Sequence, residues 1–195
     1  YRTISDDDGI IVRALKAYFE IIVPQGFFDN MIMNVFLAVV CLIIWFCVKD
    51  KLSNKSKALG TIAITVMVAF AASSIILNIS NVKALLVLSV VKGAATAAYI
   101  IAFIVFLFIL PFEINKKAKL IFILGSTGCM IAPLLVVTPI GSRCFFAPYV
   151  MMLYLGMELH SLFDADVKAK CEKASRITII TAVVGLIYLF YIYGT

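Results

Sequence analysis

Long apolar stretches, separated by short polar connections, make up most of this chain. A run of about 20 apolar residues is long enough to cross the ~30 Å hydrocarbon core of a bilayer as an α-helix. The pattern therefore predicts an all-α fold, a polytopic transmembrane bundle of about six spans. The predicted spans are 31–48, 58–79, 93–110, 120–137, 148–163 and 177–193.

The beginning of the chain has a different pattern. From residue 9 to residue 28, apolar residues recur at roughly helical spacing and charged residues lie on the other side. This predicts an amphipathic helix lying on the membrane surface, which Pro24 and Gly26 bring to an end. The chain then divides into an outer-face amphipathic segment, 1–30, and a transmembrane bundle, 31–195.

Residues 80–110 allow two interpretations. A single helix over 84–110 would hold Lys92 inside the membrane. Alternatively, 82–91 is a short interfacial or re-entrant segment, and 93–110 is the span with Lys92 at its outer mouth. We favour the second interpretation, because a charged side chain at the centre of a span costs about 2.5–3.5 kcal/mol on insertion scales.

Composition and charge support the membrane class and give the bundle an orientation. The 195 residues are 64% hydrophobic and 14% charged, whereas soluble domains are about 45–50% apolar and about 25% charged. Eleven Lys and Arg residues lie in the connections 49–57, 111–119 and 164–176. The positive-inside rule places these connections in the cytoplasm of a multi-pass cell-membrane protein. Because topology explains the net charge of +6, it does not indicate nucleic-acid binding.

This orientation places both termini on the outer side. We therefore expect a signal peptide, or an odd number of further spans, before Tyr1. The five cysteines form no C-x-x-C or Cys/His pattern, so we expect no metal site and no cofactor. No hydrolase or phosphate-loop motif is present either.

The outward-facing connections contain a candidate anion site. Arg143 lies a few residues before the fifth span, whose N-terminal dipole and free N–H groups would add to its positive field. Together with Lys92 and Lys83, and with Ser142 and Tyr149 from the same turn, it could hold a lipid phosphate or pyrophosphate. Alternatively, Arg143 caps neighbouring carbonyls, and the long cationic side chains simply reach the interface.

Glu158 and His160 are the ionisable residues well inside a predicted span. Such residues are costly to insert, and each is therefore a hypothesis for function. They are two positions apart on a helix, however, and point in different directions. We favour structural pairing near the inner interface, for example between His160 and Asp164. A proton path or a cytoplasmic ligand is the alternative.

The stretch 139–150 carries a resemblance to a known family. Pro139, Arg143, Phe146 and Tyr149 match an outward turn of the form Pro-x-x-x-Arg-x-x-Phe-x-x-Tyr that opens a late transmembrane helix. This turn resembles one in polyprenyl-phosphate-dependent membrane glycosyltransferases of the GT-C architecture. The resemblance implies that Arg143 lies near a lipid-linked sugar phosphate, with polyprenyl phosphate and membrane lipids as partners.

Such enzymes carry their catalytic Asp or Glu residues in the first outer loop of a much longer chain. The resemblance therefore leaves the catalytic residues of this chain unknown, and implies an N-terminal half or a partner membrane subunit. Two other interpretations stay open: a non-catalytic scaffold or subunit, and a transporter fragment in which Lys92 and Glu158 face one central cavity beside the helix that contains Pro133.

Overall fold

A computed structural model describes residues 9–80, 86–135 and 142–161, with residues 176, 179–180, 183–185, 187 and 191 beyond them. It does not describe the side chains at 78–80, 86–88 and 142–143. All regular structure in these ranges is helical, which confirms the predicted class. The helices are α1 (Ile10–Ala17), a π-helix (Tyr18–Phe28), α2 (Met31–Val48), α3 (Asn54–Ser80), α4 (Leu86–Ile109), α5 (Ile114–Ile131) and α6 (Phe146–Ser161).

Four of the predicted spans correspond to helices that can cross a membrane. By length and hydropathy, the segments that qualify are Met31–Lys51, Asn54–Leu77, Ser89–Ile109 and Ile114–Leu135. These four apolar helices are consistent with an integral membrane protein. The fifth predicted span corresponds to α6, which has 16 residues. The sixth, 177–193, lies largely outside the described residues, so a count of six spans stays a prediction.

Helix α4 corrects the favoured interpretation of residues 80–110. It runs without a break from Leu86 to Ile109, through Lys92, so the division into two segments is wrong. The Lys92 ammonium lies 5.4 Å from the centre of the Phe28 ring, within the range of a cation–π contact. Because this long side chain can direct its charge towards a neighbouring segment, the helix need not break to accommodate it.

The N-terminal segment also differs from the prediction, because its helix does not end at Pro24 or Gly26. It continues as a π-helix to Phe28, and the Asp29 N–H donates to the Pro24 carbonyl at 2.8 Å. The π-helix packs against α4 and α3, and it buries four apolar side chains: Ile21, Ile22, Val23 and Phe28. This half of the segment is therefore part of the core of the bundle.

The helices form a bundle with one open seam. Helix α3 packs against α2 and α4, while α6 packs against α2 and α5. Helices α4 and α5 are consecutive in the chain but touch only sparsely. Hydrogen bonds from Tyr18 to Gly93 and from Tyr149 to Gln25 join the π-helix to the starts of α4 and α6. We call this end of the bundle the Asp29 end.

The opposite end, where α5 begins and α6 ends, we call the Lys119 end. There the Lys119 ammonium donates to the Glu158 carboxylate at 2.6 Å, which joins α5 to α6. Lys117 donates to the Phe108 carbonyl at 2.8 Å, at the C-terminal end of α4. The second bond joins α4 to α5 at this end, and the seam between these two helices extends towards the Asp29 end.

Candidate functional site

A cavity of about 380 Å³ lies along the seam. Residues of α2, α4, α5, α6 and the π-helix line it, and the lining is overwhelmingly apolar, without a charged side chain among its described residues. Ligand pockets in proteins usually have volumes of about 300–1,000 Å³. The cavity is therefore large enough to hold part of a ligand, and its chemistry suits a hydrocarbon.

The cavity opens sideways between α4 and α5. Its lining includes Ile104 and Phe108 of α4 and Ile121 of α5, and all three side chains are also exposed on the outer surface of the bundle. Gly125 and Gly128 lie on the same side of α5, and a Cβ built on either would meet no atom within 4 Å. Neither glycine has a side chain to fill the seam, so the seam stays open along this part of α5.

Three polar side chains in the lining have hydrogen-bond partners. The Asn34 amide donates to the Phe27 carbonyl at 2.7 Å, and the Tyr149 hydroxyl donates to the Gln25 carbonyl at 2.7 Å. The hydroxyl of Thr127 donates to the carbonyl one helical turn earlier in α5. The first two bonds satisfy π-helix carbonyls and hold the π-helix against α2 and α6.

Two other residues of the lining each have a covered polar atom with no partner among the described residues. These atoms are the Asn30 amide nitrogen and the Tyr99 hydroxyl oxygen, whose residues are 3% and 1% exposed. The Tyr99 ring is held in place, because it stacks on Phe70 with the ring centres 4.5 Å apart. A buried polar group without a partner costs about 1–3 kcal/mol, so this pair requires an explanation.

Charged residues lie at the Asp29 end, just outside the cavity lining. Partial burial raises the pKa of the Asp29 carboxyl above its ordinary value, and the positive charge of Lys92 lowers it by a smaller amount. Lys92 itself is half-buried beside Phe28. This end therefore combines a cation, a carboxyl group with weakened acidity and the mouth of an apolar cavity.

The predicted anion-site residues are placed to different degrees. Tyr149 lines the cavity, whereas Lys92 lies at the same end but outside the lining. Ser142 and Arg143 belong to a short 3₁₀ turn before α6, and their side chains lie outside the described part of the structure. Lys83 lies outside the described residues altogether. The structure thus brings Tyr149 and Lys92 to one end of the bundle and leaves the other three untested.

The predicted intramembrane pair lies at the opposite end. Glu158 accepts the hydrogen bond from Lys119, and His160 is half-buried near the end of α6. Asp164, the expected partner of His160, lies outside the described residues. Neither Glu158 nor Lys92 lines the described cavity, although the transporter interpretation requires both to face one.

Sequence reasoning missed the residues that define the cavity. Asn30 and Asn34 are two amides one helical turn apart at the start of an apolar run, and Gly125 and Gly128 are two glycines on one side of another. These were the available signals.

Among the described residues, no group of three His, Cys, Asp or Glu side chains gathers where it could hold a metal ion. No family model, curated protein or solved structure matches the chain.

Proposed function

We propose that this protein binds one membrane lipid that carries a phosphate head group. A hydrocarbon chain of the lipid enters sideways between α4 and α5 and fills the cavity, and the phosphate lies at the Asp29 end. The observation that carries this proposal is the apolar cavity and its lateral opening between Phe108 of α4 and Ile121 of α5. A water-soluble ligand would have to cross the hydrocarbon region to enter by that route.

Burial of the lipid chain alone does not explain why the cavity would bind one particular lipid. Bilayer hydrocarbon is as apolar as the cavity wall, so moving a lipid chain into the cavity yields little hydrophobic free energy. An empty apolar space would nevertheless deprive its lining atoms of dispersion contacts, which favours filling it. Preference for one lipid over another must therefore come from its head group and from polar atoms near it.

The cations predicted from the sequence suit an anionic head group. Lys92 is at the Asp29 end, and the sequence places Arg143 directly before α6. Arginine binds phosphate through a planar fork of N–H donors, and the start of a helix adds its own N–H groups. In this proposal the Asp29 end faces the outer leaflet, α1 lies on that membrane surface, and the basic connections at the Lys119 end face the cytoplasm.

Two kinds of lipid share this chemistry. One is a polyprenyl phosphate, in which case the chain is the C-terminal lipid-binding module of an envelope glycosyltransferase that it resembles at 139–150. The other is an anionic glycerophospholipid, in which case the chain needs no catalytic half. Binding measurements with a long-chain polyprenyl phosphate and with phosphatidylglycerol, each added to delipidated protein, distinguish the two.

The cavity is tested by filling it. Gly125→Leu places a side chain at the opening where the structure has free space, and Cys129→Leu adds bulk at an exposed position on α5 that does not line the cavity. In native mass spectrometry of protein purified in maltoside detergent, Gly125→Leu should retain several-fold less added lipid phosphate, and Cys129→Leu should match the wild type. Equal retention by all three proteins would reject the cavity as the binding site.

The phosphate position is tested separately. Arg143→Ala should weaken binding of the lipid phosphate strongly, and Arg143→Lys should restore it only in part, because lysine lacks the planar fork. Lys116→Ala, at the Lys119 end, is the control for loss of one positive charge. If binding depended equally on Arg143 and Lys116, the protein would attract the head group only through its overall positive charge, and Arg143 would not be a specific phosphate site.

A further inference from the structure

We infer that the lipid in this cavity is an acyl ester, and that its ester carbonyls accept hydrogen bonds from Asn30 and Tyr99. This inference rests on the proposed function and names the class of lipid. It starts from a comparison of two asparagines, Asn34 and Asn30, and two tyrosines, Tyr149 and Tyr99, that line the cavity. Asn34 and Tyr149 donate to backbone carbonyls, whereas Asn30 and Tyr99, with the same functional groups, have no partner among the described residues.

Water is a poor partner for these two groups. A buried water usually makes about three hydrogen bonds, and cavities lined by apolar side chains stay dry. In this lining the Asn34, Thr127 and Tyr149 groups already donate to carbonyls, and most of the remaining surface is apolar. The missing partner is therefore expected to arrive with the ligand.

That partner is a neutral acceptor. Both unpaired groups can donate a hydrogen bond, and neither carries a charge. No charged side chain is among the described lining residues, so a phosphate drawn in as far as Tyr99 would lose its hydration without gaining a counter-ion. An ester carbonyl oxygen is uncharged and accepts hydrogen bonds, so the ester groups of a lipid can pair with these donors at little desolvation cost.

The order of groups along the cavity matches the order of groups in a glycerolipid. Lys92 precedes Tyr99 by seven residues of α4, which at 1.5 Å per residue is about 10 Å along the helix axis. In an acyl glycerolipid, the ester carbonyl lies between the phosphate and the hydrocarbon chain. A polyprenyl phosphate has no acceptor beyond its head group, and it would leave Asn30 and Tyr99 unpaired.

Access to the donors requires a small adjustment. Neighbouring side chains cover both polar atoms in the structure. The lipid is therefore expected to displace part of this cover as it binds. The Phe70 stack fixes the Tyr99 ring, so the side chains around it, rather than Tyr99 itself, are expected to move.

The experiment compares two lipids that differ only in the ester. Protein purified in maltoside detergent is titrated with diacyl phosphatidylglycerol and with its dialkyl ether analogue, which has the same head group and chain length. Retained lipid is measured by native mass spectrometry. Two hydrogen bonds at about 0.5–1.5 kcal/mol each predict that wild-type protein prefers the ester by about tenfold.

Two variants locate the preference. Tyr99→Phe removes one oxygen atom and should lower the preference several-fold, and adding Asn30→Leu should abolish it. Tyr18→Phe removes a hydroxyl that already donates to the Gly93 carbonyl and that lies outside the cavity lining, so it should leave the preference unchanged. Without lipid, Tyr99→Phe should melt no lower than wild type, since it deletes a buried group that has no partner. A purely structural role for the hydroxyl would give the opposite result.

The outcomes separate this inference from the proposed function. If wild type binds the ester and the ether lipid equally, or binds polyprenyl phosphate more tightly than either, the ester inference is overturned while lipid-phosphate binding stands. If wild type retains none of the three lipids, the proposed function itself fails.

Discussion

Glycines have opposite consequences on the two sides of this bundle. At Gly60 and Gly156, an added Cβ would run into the rings of Trp45 and Phe36 on α2. Gly93 of α4 lies in the same way against a ring of the π-helix. On α5, an added Cβ at Gly125 or Gly128 would meet nothing within 4 Å. The first set allows close approach of helices, as small residues do in membrane proteins, whereas the second set leaves space.

The same contrast appears in how much of each span is buried by protein contacts. In the most apolar window of each candidate span, 56% of the residues of the α2 segment are buried inside the bundle, but only 17% of those of the α5 segment. Protein contacts therefore define the position of α2. The position of α5 must depend more on its packing with α6 and on whatever occupies the seam. Substitutions on the two sides should accordingly separate protein stability from lipid binding.

The largest expected difference is between Gly60→Leu and Gly125→Leu. Gly60→Leu forces the Trp45 ring out of a packed position, and overpacking of this kind typically costs about 1–3 kcal/mol, or more where backbone must move. Gly125→Leu meets open space, so its loss of stability should be small. Thermal unfolding of both variants in the same detergent tests this. Similar losses for both would show that the seam is closed by contacts comparable to those of the packed side.

The next difference concerns the asparagines at the start of α2. Asn34→Leu leaves the Phe27 carbonyl without its donor and should cost about 1–3 kcal/mol. Asn30→Leu removes an amide nitrogen that has no partner in the described part of the chain, and should be neutral or stabilising without lipid. Both substitutions replace an amide by an apolar group in the same cavity, so each is the control for the other. Equal destabilisation would indicate that Asn30 has a partner in solution.

The sequence was sufficient for the first four predicted spans but not for the cavity. The predicted limits of the first span coincide with α2, Met31–Val48, because apolar run length follows from the thickness of a bilayer. Hydropathy reports which segments avoid water, and it does not report which helices touch. The sparse contact between α4 and α5, on which the cavity depends, is a property of pairwise packing that no single run reveals.

The incorrect division at Lys92 has a related cause. The insertion cost applies to a charge at the centre of a span, whereas α4 begins at Leu86 and places Lys92 within its first two turns. The ring of Phe28 then lies within reach of the ammonium. Phe28 belongs to the N-terminal segment, which the hydrophobic pattern alone had assigned to the membrane surface. Its packing against α4 could not be inferred from spacing.

The smallest expected effect is at Asp29, where the packed side meets the mouth of the cavity. Burial raises the pKa of this carboxyl above its ordinary value of 3.8. The folded protein therefore binds this proton more tightly than the unfolded chain does, and the stability contribution of Asp29 falls as pH rises from about that value through the raised pKa. Asp29→Asn removes the ionisation, so the variant should melt higher than wild type at neutral pH and equally below pH 3.8.

A substitution at Lys92 tests the same pKa shift of Asp29 from the other direction. The positive charge of Lys92 lowers the pKa of Asp29, so Lys92→Gln should raise that pKa further and enlarge the difference in melting temperature that Asp29→Asn causes at neutral pH. The measurement is the melting temperature of wild type, Asp29→Asn, Lys92→Gln and the double variant across the pH range. Asp29 is only partly buried, so the shift should be modest and the effect of Lys92 should shrink with added salt. If wild type instead melts higher than Asp29→Asn at neutral pH, the Asp29 carboxylate is stabilised in the folded state, and Lys92 is then paired with Asp29 and is not available to a phosphate.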